Sequence, residues 1–186
     1  MEQSQVTRRD FLQSVSMAGI ATLAAGSMAG LVRAETTSSV KKSIYVCQIC
    51  GHIEFGVAPD TCPVCHAPKD KFELNDAVFS DAEMKFKDKT ASHLPVVHAS
   101  KKSAVVTEQP SIAAEAKVGS TIHPMIESHH IRFIDFYIDD VYVSRLLLTL
   151  RNHPTAGIDI GTPGGKVRAV ALCNLHGYWQ KESAVS

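Results

Sequence analysis

Two pairs of cysteines decide what the middle of this chain can become. Cys47 and Cys50 stand in Tyr45-Val46-Cys47-Gln48-Ile49-Cys50-Gly51, and Cys62 and Cys65 in Thr61-Cys62-Pro63-Val64-Cys65, with eleven residues between the pairs. Two C-x2-C turns can set four thiolates at the corners of a tetrahedron, as Zn(II) or a single Fe requires. Such turns also aim backbone N–H groups at the sulfurs, which stabilises the thiolate form. Gly51 suits a turn position of positive φ, and Pro59 and Pro63 stiffen the second approach. A segment of about 33 residues buries too little to fold alone, so metal binding would supply its folding free energy. Two disulfides in an oxidising compartment are the alternative, but C-x2-C bridges would be strained and redox-labile. The spacing points to a metal and leaves iron and zinc both open.

The rest of the 186 residues must supply whatever chemistry this metal knot does not. The chain is 45% hydrophobic and 20% charged, a soluble globular mix that excludes wholesale disorder, collagen and multi-span membrane classes. Nineteen basic side chains balance nineteen acidic ones, which removes the electrostatic case for a nucleic-acid partner. Seven Phe, four Tyr and one Trp are few large anchors, so no domain here is big. Five Cys and nine His are the informative counts.

Residues 1–34 read as an address. Thr7-Arg8-Arg9-Asp10-Phe11-Leu12 resembles the twin-arginine export signal, and an apolar stretch from Val15 to Val32 follows, diluted by Gly and Ser. Val32-Arg33-Ala34 then offers small residues for a signal peptidase. A membrane anchor is the competing reading, but a span needs about 20 predominantly apolar residues and this run is interrupted too often. The implied location is periplasmic, with no stable membrane span once the signal is cleaved. Residues 35–43 form a polar linker, 44–75 the four-Cys metal domain, 76–88 a charged connector, and 89–186 a second domain.

That second domain reads as strands. Leu94–Val97, Ala104–Thr107, Ile131–Ile138, Val141–Leu150 and, as a last strand, Val167–Leu172 are β-type runs, with a hairpin turn at Asp139-Asp140. Short strands with Gly/Pro punctuation and no amphipathic helix predict an antiparallel, immunoglobulin-like β-sandwich, so the chain as a whole is expected to be mainly β. The fifth cysteine lies here, in Cys173-Asn174-Leu175-His176-Gly177, where Cys and His are separated by a ligand spacing. His123, His129 and His93 are further candidates. One Cys with four His is a poor closed zinc set. It suits iron held by neutral imidazoles with one axial thiolate and an open sixth position, the thiolate pushing electron density toward a bound oxygen species.

Both halves resemble known families. Tyr45-Val46-Cys47-x-x-Cys50-Gly51, Cys62-Pro63-x-Cys65-x-Ala67-Pro68-Lys69 and Phe72-Glu73 resemble the rubredoxin-like domain of rubrerythrins, which implies one Fe on Cys47, Cys50, Cys62 and Cys65 used for one-electron transfer. His66 stands where such knuckles carry a second Gly, so one N–H to sulfur bond is expected to change, and zinc stays open. His123-Pro124-Met125-x-x-x-His129-x-Ile131, Cys173-Asn174-x-His176-Gly177-x-Trp179 and His93-Leu94-Pro95-Val96 are similar to the ligand motifs of superoxide reductases, the desulfoferrodoxin and neelaredoxin family. That resemblance implies iron on His93, His123, His129 and His176 with Cys173 axial. It also implies reduction of superoxide to hydrogen peroxide, with electrons from an external periplasmic donor, a cytochrome or a rubredoxin-like carrier. Family members often carry Glu-Lys before the first His; here those positions are Ala91-Ser92. Lys89 is the expected surrogate for the missing ammonium. The second cysteine pair, Cys62-x-x-Cys65, also departs from the adjacent cysteines usual in desulfoferrodoxins.

The remaining histidines take plainer readings. His98, His130 and His153 are expected at the surface or behind the ligands, and His52 on the ribbon surface. Tyr178 and Trp179 are expected to pack beside the metal turn, and Phe133, Phe136 and Tyr137 in a core or interface. A homodimer or homotetramer is expected from the family's habits. The competing functions are a non-catalytic periplasmic electron carrier and a redox or nitric oxide sensor. A hydrolytic zinc enzyme ranks last, because this donor set leaves no usual place for water and a general base.

Overall fold

The computed structural model describes residues 42–102, 110–162 and 164–186. The export segment, nearly all of the linker and the expected strand Ala104–Thr107 lie outside the described residues.

Three short antiparallel strands make the metal ribbon: β1 (Ile44–Cys47), β2 (Ile53–Phe55) and β3 (Phe72–Leu74), in the order β2-β1-β3. The first cysteine turn joins β1 to β2, and the second lies between β2 and β3, closed by a bridge from Thr61 to Pro68. The connector forms α1 (Val78–Lys85), which buries Phe79 and Ala82, three residues apart on one face. A single turn, α2 (Thr90–His93), follows and stops where Pro95 forces Leu94 into an extended conformation.

Seven strands then form two antiparallel sheets: β4 (Pro95–Lys102), β5 (Ser111–Val118), β6 (Ile131–Ile138), β7 (Val141–Leu147), β8 (Thr155–Ile160), β9 (Lys166–Cys173) and β10 (Gly177–Ala184). One sheet runs β4-β5-β8 and the other β10-β9-β6-β7. This crossing of consecutive strands between two sheets is the immunoglobulin-like arrangement. Val97 and Ala99 of β4, the alternate residues of β5 from Ile112 to Val118, Ile134 and Phe136 of β6, and Ala169 and Ala171 of β9 fill the space between the sheets. Asp139 and Asp140 turn the β6–β7 hairpin at φ 49° and 70°, the left-handed pair a tight two-residue turn needs.

Three strands were not legible as strands. β5 reads Ser-Ile-Ala-Ala-Glu-Ala-Lys-Val, a composition with helical preference, yet its alternate residues are buried between β4 and β8; pairing overrides propensity. β8 is weakened by Gly157, and β10 is mostly polar. The last strand is therefore not Val167–Leu172: β10 returns along the whole of β9, from Gly177 opposite Cys173 to Ala184 opposite Lys166.

β6 is covered on both sides. Ile134 and Phe136 face the sandwich core, whereas Tyr137, with Val170 of β9, packs against Ile44, Val46 and Ile53 of the ribbon and Phe79 of α1. The ribbon thus occupies a face of the four-stranded sheet that an isolated sandwich would leave to water.

Candidate metal centres

The two cysteine turns repeat one geometry. Gly51 N–H donates to Cys47 O at 2.8 Å and Cys47 N–H to His52 O at 2.8 Å; His66 N–H donates to Cys62 O at 3.0 Å and Cys62 N–H to Ala67 O at 2.8 Å. Cys47 Sγ and Cys65 Sγ stand 3.7 Å apart, as do Cys50 Sγ and Cys62 Sγ, and all four sulfurs lie within 4.8 Å of one another. A tetrahedron with metal–sulfur bonds of about 2.3 Å has edges of about 3.8 Å, so the cage fits zinc or iron. A disulfide would need sulfurs at about 2.05 Å.

Backbone N–H groups of His52, of Val64 and Cys65, and of Ala67 reach the sulfurs of Cys50, Cys62 and Cys65 respectively. Burial still pushes the Cys50 and Cys62 thiols up, so a cation is what would hold them as thiolates. His66 does not break the pattern. It adopts φ 61°, beside Gly51 at 73°, and the Ala67 N–H to Cys65 bond persists. The expected altered bond is replaced by left-handed strain of about 1–2 kcal/mol in a residue with a Cβ.

His52 is not on the surface. It is fully buried between ribbon and sandwich, with Nε2 3.2 Å from Glu54 Oε2 and Nδ1 3.7 Å from Asp135 Oδ2. Its ring stacks on Tyr137 and meets Tyr142 edge-on. Burial opposes a charged imidazole here, but the carboxylates of Asp135 and Glu54 outweigh it and hold His52 above the usual range. Asp135 is itself fully buried and takes two bonds from Arg145, at 2.6 and 2.7 Å. Asp135 and Arg145 are cross-strand partners, and a charge at the centre of the apolar run Ile131–Ile138 was the available signal for them.

The histidines converge at one end of the sandwich. His93 closes α2, His123 and His129 lie in the loop between β5 and β6, and Cys173 and His176 bound the β9–β10 turn. His93 Nε2 lies 3.1 Å from His123 Nε2, 3.4 Å from His129 Nε2 and 2.9 Å from His176 Nδ1. His129 Nε2 is 3.1 Å from His176 Nδ1, and Cys173 Sγ is 3.6 Å from that same Nδ1. The donor atoms of His93, His129, His176 and Cys173 all lie within 4.8 Å of one another, a spacing that one cation with bonds of about 2.1–2.3 Å can span, and His123 adjoins the group through His93.

Two of the imidazoles are anchored from behind. His93 Nδ1 lies 2.9 Å from Lys89 O and His123 Nδ1 2.6 Å from Pro124 O, which turns both Nε2 atoms toward the centre. The His93 turn is tied to the His123 loop by Thr121 N–H and Ser120 Oγ, both donating to Ala91 O at 3.0 Å. Gly119 lies so close to Ser92 that a Cβ would come within 2.6 Å of its carbonyl oxygen. Asn174 fastens the cysteine turn to the His129 loop: its Oδ1 accepts from His130 N at 2.8 Å and its Nδ2 donates to Ser128 O at 3.1 Å. This clamp was unforeseen, since nothing in its spacing marks it. Trp179 is fully buried and donates from Nε1 to His176 O at 3.2 Å.

Electrostatics suit ligation. Burial, reinforced by the neighbouring imidazoles, pushes His93 and His123 down to about 4, leaving both neutral at neutral pH. Burial raises the Cys173 thiol, while the N–H groups of Leu175 and His176 support its thiolate. His129 and His176 are half-buried. The Lys89 ammonium is 45% exposed and pairs with Asp88 at 2.8 Å. His98 and His153 are exposed, and His130 is half-buried behind the ring.

Comparison with known proteins finds one family for each part. Residues 84–182 match the desulfoferrodoxin family and residues 45–73 the rubredoxin-like domain of rubrerythrin. A desulfoferrodoxin homolog of Archaeoglobus fulgidus is 31% identical over 138 residues, 74% of this chain and 94% of that one. The desulfoferrodoxin of Syntrophotalea carbinolica is 31% identical over 146 residues, 76% and 97% of the two chains. A superoxide reductase of Pyrococcus abyssi is 29% identical over 105 residues, 50% and 87% of the two.

Proposed function

The chain belongs to the desulfoferrodoxin family, and on that premise we propose that it is a superoxide reductase, an oxidoreductase that combines superoxide, one electron and two protons into hydrogen peroxide. The observation that carries this reading is the gathering of His93, His129, His176 and Cys173, whose donor atoms all lie within 4.8 Å of one another, with His123 Nε2 3.1 Å from His93 Nε2 as the fifth donor we assign. Iron held there would supply the one-electron couple.

The chain's own residues do the rest. The carbonyls of Lys89 and Pro124 fix the tautomers of His93 and His123, so each offers a lone pair inward. Cys173, 1% exposed, is sealed from solvent, whereas His129 and His176 are not, so a small anion approaches from the histidine side. The Lys89 ammonium, whose charge reaches His129 and His176 although Asp88 pairs with it, would supply positive potential to an incoming anion. Every turnover consumes an electron, which a periplasmic cytochrome or rubredoxin-like carrier would replace. The Arg8-Arg9 segment supports a periplasmic location. Among the described residues no helix is long and apolar enough to cross a membrane.

The test is superoxide consumption by the anaerobically purified, iron-loaded chain with excess reductant. A reductase yields one peroxide per superoxide and no dioxygen, and repeats. A carrier or sensor gives a single stoichiometric event. An iron that superoxide leaves unchanged sinks the proposal. Lys89→Ala, which keeps the carbonyl that holds His93, should slow the second-order step severalfold and flatten its salt dependence. An unchanged rate removes Lys89 from the mechanism.

A further inference from the structure

A single hydrogen bond joins the two donor sets through otherwise short stretches of chain. Gly51 follows Cys50, and its carbonyl accepts from Tyr178 Oη at 3.0 Å. Tyr178 comes two residues after His176 and pairs across the sheet with Leu172, which precedes Cys173. The fit is close: a Cβ on Gly51 would come within 2.7 Å of Tyr178 Oη. Arg145 Nη1 donates to Cys50 O at 2.9 Å and Tyr137 Oη to Ile53 O at 2.8 Å. The first cysteine turn and the start of β2 therefore hang from the four-stranded sheet by three carbonyls, two of the turn and one of the strand.

We propose that the four-Cys cage and the His/Cys centre bind their metals cooperatively, with Tyr178 as the positioning residue that couples them. A cation shared by the four sulfurs adds its binding free energy to the closed form of the Cys47–Cys50 turn. Closed, it holds the Gly51 carbonyl still; the carbonyl holds the Tyr178 phenol; the phenol holds the start of β10 and the turn from Asn174 to His176. His176 is the ligand this governs most, being half-exposed and fastened otherwise by the Trp179 bond to its carbonyl. Linkage makes the effect reciprocal: whatever factor ribbon metal adds to affinity at the His/Cys centre, metal there adds at the ribbon. The inference rests on both cages holding a cation and not on superoxide as the substrate, so superoxide turnover can fail while the coupling stands.

Co(II) is the probe, followed by its thiolate absorption under chelator competition. Its Kd at the His/Cys centre is measured with zinc in the ribbon and in the Cys62→Ser, Cys65→Ser double variant, whose ribbon cannot close. The open ribbon should weaken Co(II) binding about tenfold, within the range usual for coupled sites. Tyr178→Phe keeps the ring and its packing and should remove about fivefold of that difference, the worth of one hydrogen bond. A general loss of stability would weaken both Kd values and leave their ratio intact. Should the double variant not fold, the reverse measurement serves: zinc affinity of the ribbon with Co(II) present, in the native chain and in His176→Ala. Equal affinities in the paired states overturn the coupling, and a ratio that Tyr178→Phe leaves whole overturns the role of Tyr178.

Discussion

Replacing Arg145 with Met tests how the ribbon is held. The guanidinium is 6% exposed, stacks on Phe133 with its carbon 3.5 Å from the ring centre, and satisfies both oxygens of a fully buried Asp135 and the carbonyl of Cys50. Met fills the volume but leaves Asp135 a buried carboxylate without its main partner, a loss of about 3–5 kcal/mol. The Tyr137 hydroxyl, donating to Asp135 Oδ2 at 3.5 Å, and His52, 3.7 Å away, remain beside it, so the lower end of that range applies. With total stability on the order of 5–15 kcal/mol, the effect is large and easily read. Urea unfolding of the zinc-loaded chain should show a lower midpoint at an unchanged slope. Adding Asp135→Asn to Arg145→Met should restore much of the loss, because the stranded charge is gone. Arg145→Lys should not, since a single ammonium cannot serve three acceptors in a fixed fork. A shift below about 1 kcal/mol for Arg145→Met, or a double variant as damaged as the single one, would refute the reasoning.

Two further outcomes are expected. His66→Gly should stabilise the zinc-loaded ribbon by about 1 kcal/mol in the same urea assay, because His66 is exposed and its left-handed backbone is strained; destabilisation would mean that the His66 side chain contributes a contact. In the metal-free protein, His93 and His123 titrate at about 4 when folded and near 6.5 when free. The unfolded chain therefore binds protons first, and stability, full above pH 6.5, should decline as pH falls toward 4. His52 works in the opposite direction: its contribution is present below its unfolded value and lost as pH rises through its folded one. Urea midpoints of the native chain and His52→Gln between pH 4 and 8 separate the two slopes; a flat acid limb in both would contradict the burial of His93 and His123.

The metal cages were legible because ligands repeat at short intervals: Cys47 with Cys50, Cys62 with Cys65, Cys173 with His176. The structure gathers the two cysteine pairs into one cage and Cys173 and His176 into another with His93 and His129, His123 adjoining through His93. The surface between ribbon and sandwich was not legible. His52 carries no spacing signature, and its burial depends on Asp135 and Tyr137, more than eighty residues further along the chain. Alanine-rich β5 shows the same limit, since its strand character is conferred by β4 and β8 rather than by its own side chains. Asn174 stands in the Cys173–His176 motif, yet its role as a clamp is visible only from its partners at Ser128 and His130.

The double coverage of β6 bears on how such a chain can be cut and rejoined. A fragment starting at residue 89 would keep every histidine ligand and Cys173, yet expose Tyr137, Val170 and the Asp135–Arg145 pair together. A bare face of that kind invites self-association, so trimming the protein to its iron-binding half would need polar replacements there first. A foreign ribbon grafted in place of the native one would need a glycine at the position of Gly51, to pass under the Tyr178 hydroxyl. The two modules are matched parts, and descent or engineering that exchanges one must remake the seam of the other.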